Sequence, residues 1–388
     1  MSDLEARLHD ALDPLVTAGY LPGYVAAVRA GSERATAFGG VRDLEAGHPM
    51  RADAVVRIAS MSKPIGAVLA MVCVEEGFFG LDDPVDTWLP EFTEIPVLRT
   101  PDAAVDDVVP LERPMTIRHL LTMTSGVGWP MAGSPIEHAL TTNDPHGASS
   151  ADEFIELLTR LPLQFQPGDG WRYHTSAAVL SVLLERATGR ELDVLVEDWV
   201  RATLGLDHLA FHCRDPDRRA VAYVPAGTGQ LEPMALNTQV EPPPFRSLAG
   251  LLHATAADLV TFLDDLCSDA PRLLSATNAS AIRTPQLSPE QRADAEEFLG
   301  PGQSYGYYVS VAESPGRHGG AGRFGWSGGT GIDAAADPGN DTTGVVFLFR
   351  ETADPADEPA FGRFWDAVYG LGPTRSGATV NSRKEACR

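Results

Sequence analysis

Positive charge is scarce in this chain, and lysine is almost absent from it. Of its 388 residues, 53 are Asp or Glu and 30 are Lys or Arg, which gives a formal net charge of −23 at pH 7. Lysine occurs only at Lys63 and Lys384. Nucleic acid and anionic membrane surfaces would repel so acidic a chain. We therefore expect small molecules or basic proteins as partners, with no nucleic acid and no membrane.

Long apolar runs and paired cysteines are also missing. No stretch is long enough to span a bilayer, and the first residues are acidic where a secretory signal would be basic. The four cysteines, Cys73, Cys213, Cys267 and Cys387, show no paired spacing. Scattered single cysteines are typical of reduced thiols. Together these observations predict an intracellular, cytoplasmic protein.

Hydrophobic periodicity places strands at both ends of the chain and helices in its middle. Strands are expected as a hairpin at residues 24–40 and further at residues 55–59, 305–311, 323–326, 331–336 and 343–350. Helices are expected at residues 4–18, from just after Ser60 to near residue 77, and at residues 116–123, 151–160, 177–187, 192–202, 254–266 and 361–369. This order of elements is typical of an α+β fold.

The same order predicts how the chain divides. Strands at both ends predict an antiparallel sheet built from N- and C-terminal segments and flanked by helices, with a mainly helical domain inserted between them. We place the sheet domain at residues 1–85 and 245–372 and the inserted domain at residues 86–244. Residues 373–388 are expected to form a disordered tail.

Lys63 stands three residues after Ser60, where the expected strand at 55–59 gives way to a helix. Residues three apart share a helix face, so the amine would lie one turn from the hydroxyl. A desolvated amine can lose its proton and act as a base, whereas a guanidinium effectively cannot. The positive end of the helix dipole would favour the neutral amine and a developing alkoxide. A Ser-x-x-Lys pair is common by chance, but the scarcity of lysine makes this one a candidate nucleophile and base.

Two further segments could complete such a site. Tyr173 lies just before an expected helix, and a tyrosine held near a lysine can relay a proton. In the simpler interpretation this segment only starts the helix, with Thr175 or Ser176 as its cap. The segment GWSGG at residues 325–329 has few side chains to block a strand edge, so it could bind substrate and donate one N–H to an oxyanion. Without the other motifs it would predict only a glycine-rich hairpin.

These three segments, in this order, resemble the penicillin-recognising serine hydrolases, the family of class C β-lactamases, DD-peptidases and related esterases and acyltransferases. The matches lie at residues 57–64, 117–126, 173–175 and 326–329, within a resemblance that covers roughly residues 10–370. The resemblance implies a β-lactamase/transpeptidase-like fold, with Ser60 as nucleophile, Lys63 as its base and Tyr173 as the partner in proton transfer. It also implies an oxyanion hole made by the backbone amides of Ser60 and Gly329.

The chain departs from the family's pattern at two motifs. Thr175 stands where the family has the Asn of Tyr-x-Asn, and Trp326, Ser327 and Gly328 stand where it has Lys-Thr-Gly. A lysine there would face a substrate carboxylate, whereas Trp326 offers an apolar indole with one N–H donor. We predict that these four residues contact the substrate, and that carboxylic esters are preferred to β-lactams or peptides.

Alternative interpretations have less support. GWSGG also fits a Gly-x-Ser-x-Gly nucleophile elbow, but that fold needs a histidine after the serine, and His318, the last of ten, precedes Ser327. His208 and His212 have the spacing of zinc ligands, yet no His-Glu-x-x-His pattern accompanies them, so we predict no metal and no cofactor. His174 is expected to point away from the site. A binding protein without chemistry would be expected to lack the nucleophile or its base.

Hydrolysis and acyl transfer would both run through an acyl ester on Ser60. They differ in whether water or a bound alcohol or amine intercepts that ester. An intracellular location disfavours cell-wall substrates and permits a biosynthetic acyltransferase. The sequence therefore predicts first a serine hydrolase of small-molecule carboxylic esters, and second an acyltransferase of secondary metabolism.

Overall fold

The main structural element is an eight-stranded antiparallel sheet. A computed structural model describes residues 1–226, 230–234, 241–352 and 359–372, so the predicted tail at 373–388 lies outside the described residues. In chain order the strands are β1 (Gly23–Ala30), β2 (Glu33–Asp43), β3 (His48–Pro49), β4 (Val56–Arg57), β5 (Val97–Leu98), β6 (Val108–Val109), β7 (Tyr223–Pro225), β8 (Leu231–Pro233), β9 (His253–Ala254), β10 (Gln303–Tyr305), β11 (Ser310–Ala312), β12 (Phe324–Gly328), β13 (Ile332–Asp337) and β14 (Thr342–Phe347).

The central strand pair joins the two ends of the chain. The sheet order is β10-β11-β12-β13-β14-β1-β2-β3, and in the β14–β1 pair Val25 lies opposite Phe347. The sheet thus combines strands from the N-terminal and C-terminal segments, which confirms the predicted α+β fold class. The domain boundaries, 1–85 with 245–372 and 86–244, stay a prediction.

Helices cover both faces of this sheet. In chain order they are α1 (Asp3–Thr17), α2 (Ser62–Glu75), α3 (Ile117–Leu121), α4 (Pro135–Asn143), α5 (Ala151–Thr159), α6 (Thr175–Thr188), α7 (Leu192–Leu195), α8 (Ala202–Leu204), α9 (Ala256–Cys267), α10 (Ala276–Ile282), α11 (Pro289–Leu299) and α12 (Pro359–Val368), with a π-helical segment, Val196–Arg201, between α7 and α8. Side chains alternate along β1, so Ala26 and Val28 pack with α1 and α12, while Val25 and Ala27 face the core that contains α2 and α9.

Helix α2 carries the Ser-x-x-Lys segment into the centre of the molecule. Its residues from Ser62 to Met71 are buried on every side, so it is a core helix. Gly66 allows close packing around this helix. A Cβ at Gly66 would lie 3.2 Å from Leu248 Cδ1, so a larger side chain there would push the neighbouring segment away.

Several sequence predictions were wrong in detail. The single strand expected at 305–311 is a hairpin of β10 and β11, with Tyr308 at a φ of +60° in the turn between them. Helices α4, α10 and α11 were not predicted. Only Ala295 of α11 is buried, so this helix has no apolar stripe to reveal it. Helix α10 is only seven residues long, which is too short for a periodic pattern.

Candidate active site

Ser60 lies in a short 3-10 turn, Ala59–Met61, that connects β4 to α2. Ala59 has a φ of +45°, which is unusual for a residue other than glycine. Glycines allow other segments to approach this turn closely: a Cβ at Gly328 would lie 2.5 Å from Ile58 O, and one at Gly250 would lie 3.5 Å from Ala59 C. The hydroxyl is therefore held where β4, β12 and the segment around Gly250 meet.

Lys63 is completely buried one turn further along. Its Nζ lies 3.0 Å from Ser60 Oγ and donates to Ala249 O at 2.5 Å. Burial lowers the pKa of the Lys63 amine well below its usual range, and among the described residues no carboxylate counters that effect. Burial therefore favours the neutral form of this amine, whose lone pair can accept a proton.

Tyr173 lies beside both side chains and is buried. Its hydroxyl is hydrogen-bonded with Ser60 and accepts a hydrogen bond from Trp326 Nε1 at 2.7 Å, while Lys63 Nζ lies 4.6 Å from the centre of its ring. Burial raises the pKa of the Tyr173 hydroxyl, and the hydrogen bonds with Ser60 and Trp326 oppose that rise. The structure thus brings Ser60, Lys63 and Tyr173 together, with the tyrosine as a neutral phenol.

The turn after β12 is tied to the strand that leads to Ser60. Thr330 Oγ1 donates to Arg57 O at 2.8 Å. The carbonyl of Gly328, which belongs to the same peptide as the N–H of Gly329, accepts from the amide of Gly331 at 3.0 Å. A Cβ at Gly329 would meet nothing within 4 Å, so open space lies beside this residue. A fixed peptide beside open space is the arrangement that an oxyanion donor requires.

The four residues expected to contact substrate lie in different environments. Trp326 faces Tyr173, and Gly328 packs on Ile58. Ser327 lies on the opposite face of β12 because side chains alternate along a strand, and its hydroxyl donates to Asp333 Oδ1 at 2.6 Å. Thr175 is buried, with Oγ1 3.5 Å from His146 Nε2. Substrate contact by these residues stays a prediction.

The start of α6 differs from the sequence prediction. Thr175 and Ser176 were the expected caps, but the N-cap is His174, and it makes no capping hydrogen bond with its side chain. Ser176 is instead hydrogen-bonded with Ser125 at 2.7 Å. The prediction that His174 points away from the site was wrong, because its Nδ1 lies 3.4 Å from Lys63 Nζ.

Two exposed aromatic rings, which sequence reasoning missed, flank the site. Trp129 packs edge-on to Tyr173 with ring centres 5.1 Å apart, and Phe298 of α11 packs on the same tyrosine at 4.6 Å. Each is 49% exposed, which is unusual for rings this large. We call this pair the aromatic rim. Both residues lie far from Tyr173 in sequence, so no local motif indicates them.

Residues 1–226, 230–234, 241–352 and 359–372 contain neither a metal-binding cluster nor a membrane-spanning helix. In this part of the chain no group of three or more His, Cys, Asp or Glu side chains is arranged to hold a metal ion. His208 Nε2 lies 3.0 Å from Arg218 Nη1. Over the same residues, no helix combines the length and the apolar character needed to cross a bilayer.

Known proteins with similar sequences indicate the family of this chain. A family model described as Beta-lactamase matches residues 8–366. Esterase EstB of Burkholderia gladioli is 33% identical over 397 residues, covering 95% of this chain and 96% of that protein. Acyltransferase calJ of Penicillium decumbens is 32% identical over 249 residues, covering 62% of this chain and 58% of that protein. The chain therefore belongs to the β-lactamase family, which confirms the predicted family and that the chain is an enzyme.

A solved structure shows the same fold at lower sequence identity. EstCE1, described as a hydrolase with promiscuous acyltransferase activity, superposes with a TM-score of 0.80 at 23% identity. The match covers 95% of this chain and 99% of that one. The fold is thus shared over nearly the whole length of both chains.

Proposed function

We propose that this chain is a serine esterase that acts on small-molecule carboxylic esters through an acyl ester on Ser60. The observation that carries the proposal is the position of the Lys63 amine, which is completely buried and lies 3.0 Å from Ser60 Oγ, with the hydroxyl of Tyr173 hydrogen-bonded to the same serine. Burial lowers the pKa of this amine and so favours its neutral form. The similarity to Esterase EstB over 95% of this chain supports the reaction type.

In the acylation step, Ser60 Oγ attacks the ester carbonyl carbon and its proton passes to the lone pair of Lys63. The negative charge that develops on the carbonyl oxygen would be met by the backbone amides of Ser60 and Gly329. When the tetrahedral intermediate collapses, Tyr173 gives its proton to the leaving alkoxide and regains one from the Lys63 ammonium. Alcohol is released, and Ser60 keeps the acyl group until water attacks it by the same route in reverse.

The surroundings of the nucleophile favour uncharged substrates. The indole N–H of Trp326 donates to Tyr173, so it is not available to a substrate carboxylate. Arg172, the residue before Tyr173, forms an ion pair with Asp294 at 2.9 Å. The aromatic rim offers exposed apolar surface beside Tyr173. A neutral ester with an apolar group fits this site better than a penicillin or a peptide carboxylate does.

The test is replacement of the nucleophile. Ser60→Ala is expected to lower kcat/KM for a p-nitrophenyl ester by about 1000-fold or more, and to abolish the mass increase on treatment with a fluorophosphonate. The matched control is Ser32→Ala, in the exposed turn between β1 and β2, which should behave as the parent enzyme. Activity of Ser60→Ala within tenfold of the parent would remove Ser60 from the mechanism.

Acyl transfer is the second candidate, and the names of two similar proteins favour it. Acyltransferase calJ is 32% identical over part of the chain, and EstCE1 is described as having acyltransferase activity beside hydrolysis. The same acyl-Ser60 would then pass to an alcohol or amine acceptor. Hydrolysis and acyl transfer are distinguished by measuring both products with an activated ester at increasing acceptor concentrations. Saturable formation of the transfer product would favour the acyltransferase.

We also infer a cytoplasmic location from the cysteines. Cys73, Cys213 and Cys267 are free thiols, and Cys73 and Cys213 are buried. Unpaired cysteines in the core suit a reducing compartment, where no disulfide is needed for stability.

A further inference from the structure

The Lys63 amine is surrounded by three polar atoms, and their number restricts its orientation. Ala249 O lies at 2.5 Å, Ser60 Oγ at 3.0 Å and His174 Nδ1 at 3.4 Å from Nζ. A neutral amine has two N–H groups and one lone pair, so it can donate to two of these atoms only. Ala249 O can only accept, and it therefore takes one N–H. The second N–H goes either to His174 or to Ser60.

We propose that His174 is a positioning residue, which accepts the second N–H of Lys63 through Nδ1 and thereby turns the lone pair of the amine toward Ser60. This inference rests on the proposed roles of Ser60 and Lys63. If the second N–H went to Ser60 instead, the serine would be an acceptor and its own proton would have no base. With both N–H groups engaged by Ala249 O and Nδ1, the hydroxyl of Ser60 donates to the lone pair.

The same acceptor also serves the next step of the reaction. Once Lys63 has taken the proton of Ser60 it is an ammonium with three N–H groups, and the three surrounding atoms can each accept one. Without Nδ1, one N–H of a buried cation would have no partner, which is costly. His174 would therefore stabilise the charged intermediate as well as the orientation of the neutral base.

The imidazole is held in this place from several sides. The backbone of His174 has φ +88° and ψ −67°, a strained conformation for a residue with a side chain. Trp129 stacks on its ring with centres 4.7 Å apart and planes 16° from parallel, and His146 approaches it edge-on at 5.1 Å. Strain at a residue next to Tyr173, maintained by packing, is typical of a functional position.

The surroundings of His174 favour its neutral form, in which Nδ1 can accept a hydrogen bond. The titratable groups that face it are Lys63, His146 and Tyr173, while Asp144 acts on His146. Burial is the main cause that lowers the pKa of His174 well below its usual range, and a positive charge on Lys63 or His146 would lower it further. A neutral ring with its proton on Nε2 leaves Nδ1 free to accept from Lys63.

Three variants test the proposal. His174→Phe keeps a ring against Trp129 but has no acceptor. His174→Asn keeps an acceptor near the place of Nδ1 and tolerates a positive φ, and His174→Gly relieves the backbone and has no acceptor. The rate of fluorophosphonate labelling at Ser60, kcat and KM for a p-nitrophenyl ester, and Tm are measured for each.

We expect the labelling rate and kcat to depend on the hydrogen-bond acceptor at position 174 and not on the packing of that side chain. His174→Phe and His174→Gly are expected to lose roughly 10- to 100-fold in labelling rate and kcat with KM within about twofold of the parent, while His174→Asn recovers most of the loss. If His174→Phe does not fold, the Asn and Gly variants still differ only in the acceptor and side-chain volume. Equal rates for Asn and Gly, or a Phe variant as fast as the parent, would overturn the proposal. Absence of Ser60 labelling in the parent would instead contradict the proposed function.

Discussion

Basic side chains in two regions of this molecule have opposite environments. At the surface Arg118 makes two hydrogen bonds to Asp82, at 2.8 and 2.9 Å, and the bond with Asp82 raises the pKa of the guanidinium. In the core, Lys63 is completely buried without a carboxylate partner among the described residues, and its pKa is lowered. The paired arginine is a fixed cation, whereas the isolated lysine is an amine.

The difference explains why the chain uses lysine at this place and arginine almost everywhere else. A guanidinium keeps its charge even when buried, so an arginine at position 63 would be an unpaired buried cation and could not accept a proton. An amine avoids the desolvation penalty by losing its proton, and the neutral form is the one that can act as a base. Burial without a counter-charge is thus what turns a basic residue into a catalytic base here.

The largest expected effects come from replacing Lys63. Lys63→Met removes the base, so kcat/KM for a p-nitrophenyl ester should fall about 1000-fold or more. The same change removes a group that disfavours the folded state, so the free energy of unfolding at pH 7 should rise by about 1–2 kcal/mol, measured by urea titration. Lys63→Arg should be equally inactive but less stable than the parent, because its charge cannot be lost.

The stability difference between Lys63→Met and the parent should also depend on pH. Between the lowered pKa of the folded state and the ordinary pKa of lysine, the unfolded chain binds a proton that the folded chain does not, so the parent becomes more stable as pH rises. The advantage of the Met variant should therefore be largest at low pH and disappear toward alkaline pH. An active Arg variant, or a Met variant that is less stable than the parent throughout, would contradict the neutral base.

A smaller effect is expected from the donor that supports Tyr173. Trp326→Phe keeps an aromatic ring but removes the N–H that reaches the tyrosine hydroxyl at 2.7 Å. This hydrogen bond stabilises the oxygen when Tyr173 gives up its proton, so its loss should lower kcat about tenfold in steady-state assays.

Trp365→Phe is the matched control for that change. Trp365 also donates its indole N–H, to Asp333 Oδ2 at 2.6 Å, but it is part of α12 and packs in the core next to α1, whereas Trp326 packs against the other core. Its replacement should lower Tm and leave kcat unchanged. Equal losses of kcat in both variants would show that the effect of Trp326 is general destabilisation.

The sequence predicted those parts of the site that follow from local geometry. Ser60 and Lys63 are one helical turn apart, so their contact follows from spacing alone. His174 was misplaced because its positive φ reverses the direction of the side chain, which no pattern of residue types reveals. Trp129 and Phe298 meet at Tyr173 only through tertiary packing. Side chains alternate along β12, so Trp326 and Ser327 must lie on opposite faces, but which of the two faces Tyr173 depends on how the strand is placed in the sheet.

The smallest effect on stability is expected from the loss of an exposed ion pair at the surface. Arg160 bonds Glu156 one turn away on α5, and both side chains are more than half exposed. Water and salt screen such a pair, so Arg160→Ala should change the free energy of unfolding by less than about 0.5 kcal/mol, at low and at high salt, and leave kcat/KM unchanged. Urea titrations at two ionic strengths would measure it. A change in the free energy of unfolding as large as that for Lys63→Met would mean that a charge at an exposed position affects stability as much as the buried Lys63 does. Burial of Lys63 without a carboxylate partner would then not explain the effect at that position.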